Sequence, residues 1–305
     1  MTSPALLARS ARAIPLGLRY MAASALFFSL MSLFVKLAGA RIPTMEIVFA
    51  RSVFMAVATY GLLRREGVSP LGRNRGLLLV RGVVGVTALS LLYFALPRIP
   101  LGDATAIFYT TPVWTAVAAV LVLRERTAGL VVAGMGVSLL GVALIAKPSF
   151  LPLGGLLGGG PVGALDGLAV AAALAASVLS GFVYAVVRKL RETDAPNVII
   201  FYLSAVGVVG ALPFAGGWVW PRGVDWLWLL GAGATTQLAQ LALTRGLHLE
   251  PAGRAMSVGY LQVVFAFGWG VLVFGTVPGP ASLLGAALIV GSVLLVLRRG
   301  SRRAA

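Results

Sequence analysis

The chain has 305 residues, of which 59% are hydrophobic and 11% are charged, and its mean hydropathy is +0.96. Because a soluble domain carries about a quarter charged residues, this composition excludes a water-soluble globule and indicates a protein whose solvent is lipid. The formal net charge of +16 does not indicate nucleic-acid binding, because the basic residues lie in short breaks between apolar runs, where membrane orientation rules explain them.

Ten apolar segments follow one another along the chain, each close to the roughly 20 residues that a helix needs to cross about 30 Å of hydrocarbon. Most connections between them are short and contain Pro, Gly or Arg. We therefore predict an all-α polytopic membrane protein with ten transmembrane helices. The segments are 20–37, 45–63, 77–96, 103–123, 128–146, 165–187, 197–215, 224–243, 252–274 and 281–297.

The basic residues predict the orientation of these segments. With a cytoplasmic N-terminus, 18 of the 25 lysines and arginines fall on the cytoplasmic side and five on the other side, while Arg51 and Arg81 lie inside helices or at their edges. This asymmetry follows the positive-inside rule, so both termini should be cytoplasmic. Three lysines accompany 22 arginines, a ratio typical of GC-rich bacterial coding, and we expect a multi-pass protein of a bacterial inner membrane.

The segments divide into two halves. A stretch rich in Gly and Pro, 147–163, predicts a linker between an N-terminal half, 1–146, and a C-terminal half, 164–305, which ends in a basic tail. Seven residues separate Lys36 from Pro43 in the first half, and the same spacing separates Lys189 from Pro196 in the second. Because each half has an odd number of predicted spans, the second half enters the membrane from the opposite side, and the repeat is inverted.

Ten helices in two inverted halves resemble the drug/metabolite transporter superfamily, specifically its EamA-type members. The resemblance covers nearly all of the chain after residue 18. Two positions of the second half depart from the pattern, because Gln262 stands at the place of Pro112 and Gly275 at that of Glu125. The stretches that carry the resemblance are FFSLMSLFVKLAGARIPTMEIVFARSVF (27–54), TTPVW (110–114) and LRERTAGLVVAGMGVSLLGVALI (123–145).

The resemblance implies a secondary transporter, with efflux common among relatives, that moves small amphipathic metabolites such as amino acids by alternating access. A lipid-linked flippase is the alternative. An intramembrane enzyme is less favoured, because the chain has no cysteine, no HExxH motif and a single histidine, His248, in a predicted loop. We therefore expect no enzyme, no cofactor and no metal. The expected partners are a small-molecule substrate and membrane lipids, without nucleic acid, and the protein could be a monomer or a homodimer.

Two charges interrupt the second span, at Glu46 and Arg51, where Ile199 and Ser204 stand in the second half. Arg51 lies eight residues after Pro43, roughly 12 Å along a helix, and a charge at that depth usually faces a cavity or a partner. One hypothesis is that Arg51 binds a substrate carboxylate or phosphate. The other is a structural pair with Glu46 or with backbone carbonyls. Glu46 is also the candidate for proton coupling. Facilitated transport and exchange are the alternative ways in which transport could be driven.

Pro112 lies near the middle of the fourth span. It removes one backbone donor and frees the carbonyl of Phe108, while Thr110 and Thr111 can satisfy local groups. Such a break would expose backbone dipoles to a ligand near the midplane. A kinked helix that serves packing alone is the alternative.

Polar and aromatic side chains recur on matched helices. Ser90 and Tyr93 correspond to Gln237 and Gln240, and the spacing of three places each pair on one helical face. Each residue alone is typical of a contact between helices, but the set predicts a mixed polar and aromatic cavity. The predicted substrate-binding residues are Arg51, Ser32, Tyr93, Tyr109, Thr111, Trp114, Ser180, Tyr184, Gln237, Gln240, Tyr260 and Gln262.

Small residues have a simpler interpretation. Glycines within the apolar segments let helix backbones approach closely, so we predict a role in packing and none in ligand binding. The glycines in question are Gly129, Gly134, Gly136, Gly141, Gly285 and Gly291.

Overall fold

A computed structural model of the chain describes residues 14–95, 98, 107–124, 129–146, 166–275 and 279–300, and the side chain of Tyr93 is outside that description. The described residues are helical, with no strand among them. The predicted linker 147–163 lies outside the described residues, so the division into halves at that point stays a prediction. The α-helices are α1 Leu16–Ala38, α2 Thr44–Glu66, α3 Arg75–Ala95, α4 Thr111–Leu123, α5 Gly129–Ala146, α6 Gly167–Leu190, α7 Pro196–Ala211, α8 Asp225–Leu249, α9 Ala252–Gly259, α10 Leu261–Phe274 and α11 Pro280–Gly300.

Six helical stretches of the described chain are long and apolar enough to cross a membrane. They comprise α1, α2, most of α3, α6, α7 with the 3-10 turn Leu212–Gly217 that follows it, and α9 together with α10. Three further apolar stretches, Thr111–Leu123, Gly129–Ile145 and Pro280–Leu295, have 10 to 17 residues, and the glutamines and threonines of α8 lower its hydropathy. The all-α membrane protein is confirmed, while the count of ten spans stays a prediction.

Local sequence signals explain where several helices begin and end. The Asp166 carboxylate caps α6 by accepting hydrogen bonds from the backbone N–H of Leu168 at 3.0 Å and of Ala169 at 3.3 Å. At the other ends, α2 and α10 stop at Gly67 and Gly275, whose φ angles of 64° and 63° are left-handed. Glycine adopts that conformation without steric cost, so both ends are set by the sequence.

Helix packing follows a two-fold relation between the halves. The most extensive contacts join α1 with α8, then α5 with α11, then α3 with α6; the first and third of these are equivalent pairs if each helix of the first half matches one of the second. Helix α2 packs on its counterpart α7, and α5 packs on its counterpart α11. The main hydrophobic cluster lies where these helices meet α4 and α9, and it includes Leu18, Val187, Leu247 and Tyr260.

The ninth predicted span differs from the expectation of one continuous helix over 252–274. A turn at Tyr260 separates α9 from α10. The fourth span has a turn at Tyr109 and Thr110 immediately before α4, so the two matched spans are interrupted at matching positions. Pro112 explains the interruption of the fourth span, because it has no backbone N–H. Gln262, at the matching place in the ninth span, keeps its N–H, so the turn at Tyr260 could not be predicted in the same way.

Two of the glycines predicted to serve packing do so. A Cβ on Gly141 would lie 2.6 Å from the carbonyl oxygen of Gly285, so the backbones of α5 and α11 touch at this point. By contrast, a Cβ on Gly129, Gly136 or Gly291 would have nothing within 4 Å. Those three glycines face open space and contribute no close contact.

Candidate functional site

Arg81 is a buried charged residue inside the helix bundle. It lies six residues after the start of α3, roughly 9 Å along the helix, and only 3% of its surface is exposed. Its Nη2 donates to Oε1 of Gln240 on α8 at 3.4 Å, and its Nε is buried without a hydrogen-bond partner. A guanidinium cannot lose its charge, so the interior of the bundle carries a permanent cation.

Gly85 makes room for this guanidinium. It lies one turn after Arg81 on α3, and a Cβ at that position would overlap Nη1 of Arg81. A larger residue would therefore displace the guanidinium or shift α3. Gly85 therefore leaves the space that the Arg81 guanidinium occupies beside its own helix.

Two tyrosines complete the surroundings of Arg81. Tyr184 on α6 lies within electrostatic range of Arg81, and Tyr109, in the turn before α4, lies within the same range of Tyr184. Both tyrosines pack against the main hydrophobic cluster. The group of Arg81, Gln240, Tyr184 and Tyr109, which we call the Arg81 cluster, thus combines a cation, an amide and two aromatic rings.

The turn before α4 is fixed by hydroxyl groups. Thr111 Oγ1 donates to the carbonyl of Phe108 at 2.6 Å, which satisfies the acceptor that Pro112 leaves free. The Thr110 hydroxyl lies 3.0 Å from that of Ser177 on α6, and it accepts a hydrogen bond from Trp114 Nε1 at 3.2 Å. Thr111 and Trp114 therefore hold the turn that carries Tyr109, and their polar groups are engaged within the protein.

Gln237 lies one turn from Gln240 on α8 and contacts a different helix. Its side-chain amide makes two hydrogen bonds with the Thr59 hydroxyl on α2, at 2.9 and 3.1 Å. Both residues are buried. Gln237 is therefore held in a contact between helices next to the Arg81 cluster.

Arg51 and Glu46 do not form a pair in the described structure. The Glu46 carboxylate, at the start of α2, accepts a hydrogen bond from the backbone N–H of Val219 at 2.8 Å. Arg51 Nη1 donates a weak hydrogen bond to the sulfur of Met31 at 4.0 Å, and its Nε is buried without a partner. Arg51 is thus a second cation of the interior, displaced from the Arg81 cluster toward the other end of α2.

The remaining predicted site residues have varied positions. Tyr260 has no exposed surface, and its hydroxyl is buried without a hydrogen-bond partner. Ser180 is buried one turn before Tyr184 on α6, and Gln262 is half-buried. Ser32 is exposed, and its hydroxyl donates to the carbonyl of Phe28 at 3.0 Å. Tyr93, by its side chain, falls outside the described residues.

Carboxylates lie near the two ends of the bundle. At the end that carries the α1–α2 connection, Asp225 forms a 2.7 Å ion pair with Arg41, whose Nη2 also donates to the carbonyl of Trp220 at 2.7 Å. At the opposite end, which carries the α2–α3 connection, Asp194 accepts from the backbone N–H of Arg73 and Asn74. Glu66 accepts from Asn197 there. No carboxylate of the described chain pairs with Arg81 or Arg51.

Sequence reasoning missed Arg81, Thr59 and Ser177 as site residues. The signal for Arg81 was present, because an arginine within a predicted span is a functional hypothesis by default, and a glycine follows it at the spacing of one turn. Thr59 and Ser177 carried no such signal, since a single hydroxyl in a membrane helix commonly bonds its own backbone.

The chemistry of the Arg81 cluster is that of binding. A guanidinium, an amide and phenol hydroxyls can donate hydrogen bonds to an anion and leave aromatic surface for an apolar group. Within the residues that the structure describes, no three His, Asp or Glu side chains lie close enough to hold a metal ion.

Known proteins are similar to this chain over nearly its full length. The profile of the EamA-like transporter family matches residues 15–147 and again residues 167–298. The pseudopaline exporter CntI of Pseudomonas aeruginosa is 32% identical over 273 residues, which are 89% of this chain and 92% of the relative. The human solute carrier family 35 member G1 is 32% identical over 287 residues, which are 91% of this chain and 77% of the relative.

A solved crystal structure superposes on this fold with a TM-score of 0.80 at 20% sequence identity, covering 94% of this chain and 98% of that chain. That likeness concerns the fold alone. The two family matches and the full-length relatives confirm the resemblance found in the sequence. The chain therefore belongs to the EamA-like transporter family and is a multi-pass membrane transporter.

Proposed function

We propose that this transporter exports small amphipathic metabolites that carry a carboxylate, amino acids among them, by alternating access between its two halves. The observation that carries the proposal is the buried guanidinium of Arg81, which no carboxylate of the described chain pairs with. A buried charge without a counter-charge is costly in an apolar environment. An anionic substrate would offset that cost while it is bound.

The surroundings of Arg81 favour a carboxylate on a partly apolar body. A guanidinium binds a carboxylate through two parallel hydrogen bonds. Gln240, beside it, offers an amide to a second polar group of the same molecule. Tyr109 and Tyr184 add aromatic surface for an apolar part and hydroxyls for a polar one. Amino acids and compounds built from them have this combination of groups.

Arg51 extends the same logic to another depth. Thr59 contacts Gln237, one turn from Gln240, so it marks the level of the Arg81 cluster on α2. Arg51 lies eight residues before Thr59, roughly 12 Å away along the helix. We infer that a substrate anion meets Arg81 nearer the α2–α3 end and Arg51 nearer the α1–α2 end.

Direction and orientation complete the proposal. The basic residues favour a bacterial inner membrane with both termini in the cytoplasm, so the α2–α3 end would face the cytoplasm and the α1–α2 end the outside. The name of one relative, an exporter, supports efflux. In the proposed cycle, the contact of Arg41 with Asp225 opens in the outward-facing state while the contacts of Asp194 with residues 73–74 stay closed. In the inward-facing state the contacts of Asp194 open and the contact of Arg41 with Asp225 stays closed.

Transport by purified protein in proteoliposomes, screened with labelled amino acids, nucleosides and vitamins, tests the proposal. We expect at least one carboxylate-bearing compound to be transported, and Arg81→Gln to lower its rate about 10- to 100-fold, the factor that one charge-assisted hydrogen bond implies. The transport rate of the uncharged amide of the same compound should fall less in Arg81→Gln. Arg51→Gln should also slow the acid more than the amide.

Arg19→Gln is the matched control, because Arg19 is an exposed cation of α1, and it should leave rates unchanged. Transport of neutral compounds alone would overturn the proposal. So would an equal loss for the acid and its amide in Arg81→Gln, because the guanidinium would then have no part in recognising the charge.

A further inference from the structure

A cavity of about 330 Å³ lies at the α2–α3 end of the bundle, between the end of α4 and the end of α6. Four cationic side chains line it, from Arg124, Arg188, Lys189 and Arg191, together with the carboxylate of Glu192. The Arg81 cluster lies deeper in the bundle and shares none of these residues. The volume suits a small polar group.

The cationic lining is partly fixed in place. Arg188 is 6% exposed, and its Nη1 donates to the carbonyls of Leu247 at 2.8 Å and His248 at 3.1 Å, at the end of α8. Arg191 Nη1 donates to the same His248 carbonyl at 3.2 Å. Two guanidiniums are therefore held against one helix end.

Arg124 brings a third guanidinium from another helix. It ends α4 with φ of 54°, and among the described residues it is the one non-glycine in the left-handed region. That conformation is uncommon for a residue with a Cβ. It turns the chain sharply at the rim of the cavity, and the arginine side chain is exposed there.

Among the described residues that line the cavity, four are cationic and one is anionic. Glu192 is the one carboxylate among its described lining residues, and it pairs with Lys189 at 3.0 Å. The positive charge also acts on His248, whose backbone carbonyl accepts hydrogen bonds from Arg188 and Arg191. Burial first, and then the charges of Arg191 and Arg188, lower the pKa of His248 to about 4.

The apolar side of the cavity continues onto the outer surface of α4. Val122 lines the cavity and is 53% exposed, and Leu121 beside it is 69% exposed. In a membrane such residues contact acyl chains. A cationic cavity next to an acyl-facing surface at the cytoplasmic edge is the arrangement that receives an anionic lipid headgroup.

We propose that this cavity binds a phosphate group, that of an anionic phospholipid headgroup or of a small phosphorylated solute. The phosphate oxygens accept hydrogen bonds from Arg124, Lys189 and Arg191. The site shares no residue with the Arg81 cluster, and it does not depend on the substrate proposed above.

Native mass spectrometry and thermal unfolding of the full chain in a neutral detergent test this site. The probes are phosphatidylglycerol, phosphatidylcholine and sn-glycerol 3-phosphate. We expect phosphatidylglycerol to bind more tightly than phosphatidylcholine and to raise the unfolding temperature. The double variant Lys189→Gln/Arg191→Gln should weaken phosphatidylglycerol binding about tenfold or more, through the loss of charge-assisted hydrogen bonds.

Arg64→Gln/Arg65→Gln is the matched control, because both arginines are exposed at the same end of the bundle, on α2, and line no part of this cavity. It should bind phosphatidylglycerol as the parent chain does. Arg124→Gln serves as a second variant at the rim should the first fail to fold. Competition by sn-glycerol 3-phosphate indicates the solute, and its failure to compete indicates the lipid.

Two results would overturn the site. One is equal loss of phosphatidylglycerol binding in the cavity variant and the control, which would reduce the effect to overall charge. The other is unchanged binding in both cavity variants.

Discussion

The Arg81 guanidinium and the Gln240 amide meet across α3 and α8 at 3.4 Å, between Nη2 and Oε1. This distance lies beyond the range of strong N–H···O hydrogen bonds, although both groups are inside the bundle. Arg81 is therefore a buried cation that the described chain holds only weakly. Such a residue costs stability, and the proposed function, binding of an anionic substrate, accounts for its presence.

Arg81→Met is accordingly expected to stabilise the protein and to abolish recognition of a carboxylate. The substitution removes a buried charge while keeping an unbranched apolar side chain, and replacing buried charge with apolar groups can raise stability by about 1 to 4 kcal/mol. Thermal unfolding in detergent measures the first effect and proteoliposome transport the second. A structural Arg81 would behave in the opposite way, with a fall in the free energy of unfolding of several kcal/mol.

Thr59→Val is the matched comparison for that measurement. Thr59 is also a buried polar residue of a membrane helix, but its hydrogen bonds with Gln237 are complete. Its removal should lower the free energy of unfolding by about 0.6 kcal/mol, a typical value for a hydrogen bond between membrane helices. The two variants should therefore shift the unfolding temperature in opposite directions.

The ion pair between Arg41 and Asp225 should open in every transport cycle. It joins the α1–α2 connection to the start of α8 at 2.7 Å, next to the contact of Glu46 with Val219. The chain has no cysteine, so Arg41→Cys with Asp225→Cys supplies the sole pair of thiols. Linking them with a short bis-methanethiosulfonate reagent should stop transport, and a reductant should restore it.

Each single cysteine variant, treated with the same reagent, controls for modification without cross-linking and should keep the rate of the untreated variant. If the cross-linked protein transports at that rate, this end of the bundle does not move during transport.

Gly141 and Gly285 should be intolerant of larger side chains. Because the two backbones touch, Gly141→Leu forces α5 and α11 apart and should lower the free energy of unfolding by about 1 to 3 kcal/mol, the usual cost of overpacking. Gly136→Leu on the same helix has open space around it, and the higher helix propensity of Leu should leave stability equal or slightly raised. Thermal unfolding distinguishes the two, and equal losses would mean that the close approach contributes nothing.

The architecture was more readable from the sequence than the site. Apolar segment lengths predicted an all-helical membrane protein, because the bilayer itself imposes them. The Lys-to-Pro spacing of seven and the odd number of segments per half predicted the inverted repeat. Pro112 also predicted the turn that its missing N–H causes, and Thr111 satisfies the freed carbonyl of Phe108 as expected.

The site depended on contacts between helices, which periodicity does not encode. Sequence reasoning chose Arg51 because its position, eight residues after Pro43, predicted a charge deep in the second span. The structure adds Arg81, which lies near Tyr184 and donates to Gln240. The turn at Tyr260 was missed because it has no proline. Ser32 was chosen by its residue type, but its hydroxyl bonds the backbone of its own helix.

His248 should make the stability of the protein depend on pH between about 4 and 6.5. It is the single histidine of the chain and lies in the last turn of α8, beyond the predicted end of the eighth span at residue 243. Burial, followed by the charges of Arg191 and Arg188, lowers its pKa to about 4, and its Nε2 is buried without a hydrogen-bond partner. The unfolded chain, with an ordinary histidine pKa of about 6.5, therefore binds a proton in this window while the native protein does not.

The sign follows from that difference. Stability rises with pH wherever the unfolded state binds more protons, so the native protein should lose stability as the pH falls from about 6.5 toward 4 and should be insensitive to this group above 6.5. Thermal unfolding in detergent across this range, compared between the parent chain and His248→Gln, isolates the histidine from carboxylates that titrate near the lower limit. Arg191→Gln should reduce the slope by removing one of the repelling charges. A parent chain and a His248→Gln variant with the same slope would show that the histidine is as easily protonated in the folded state as in the unfolded one.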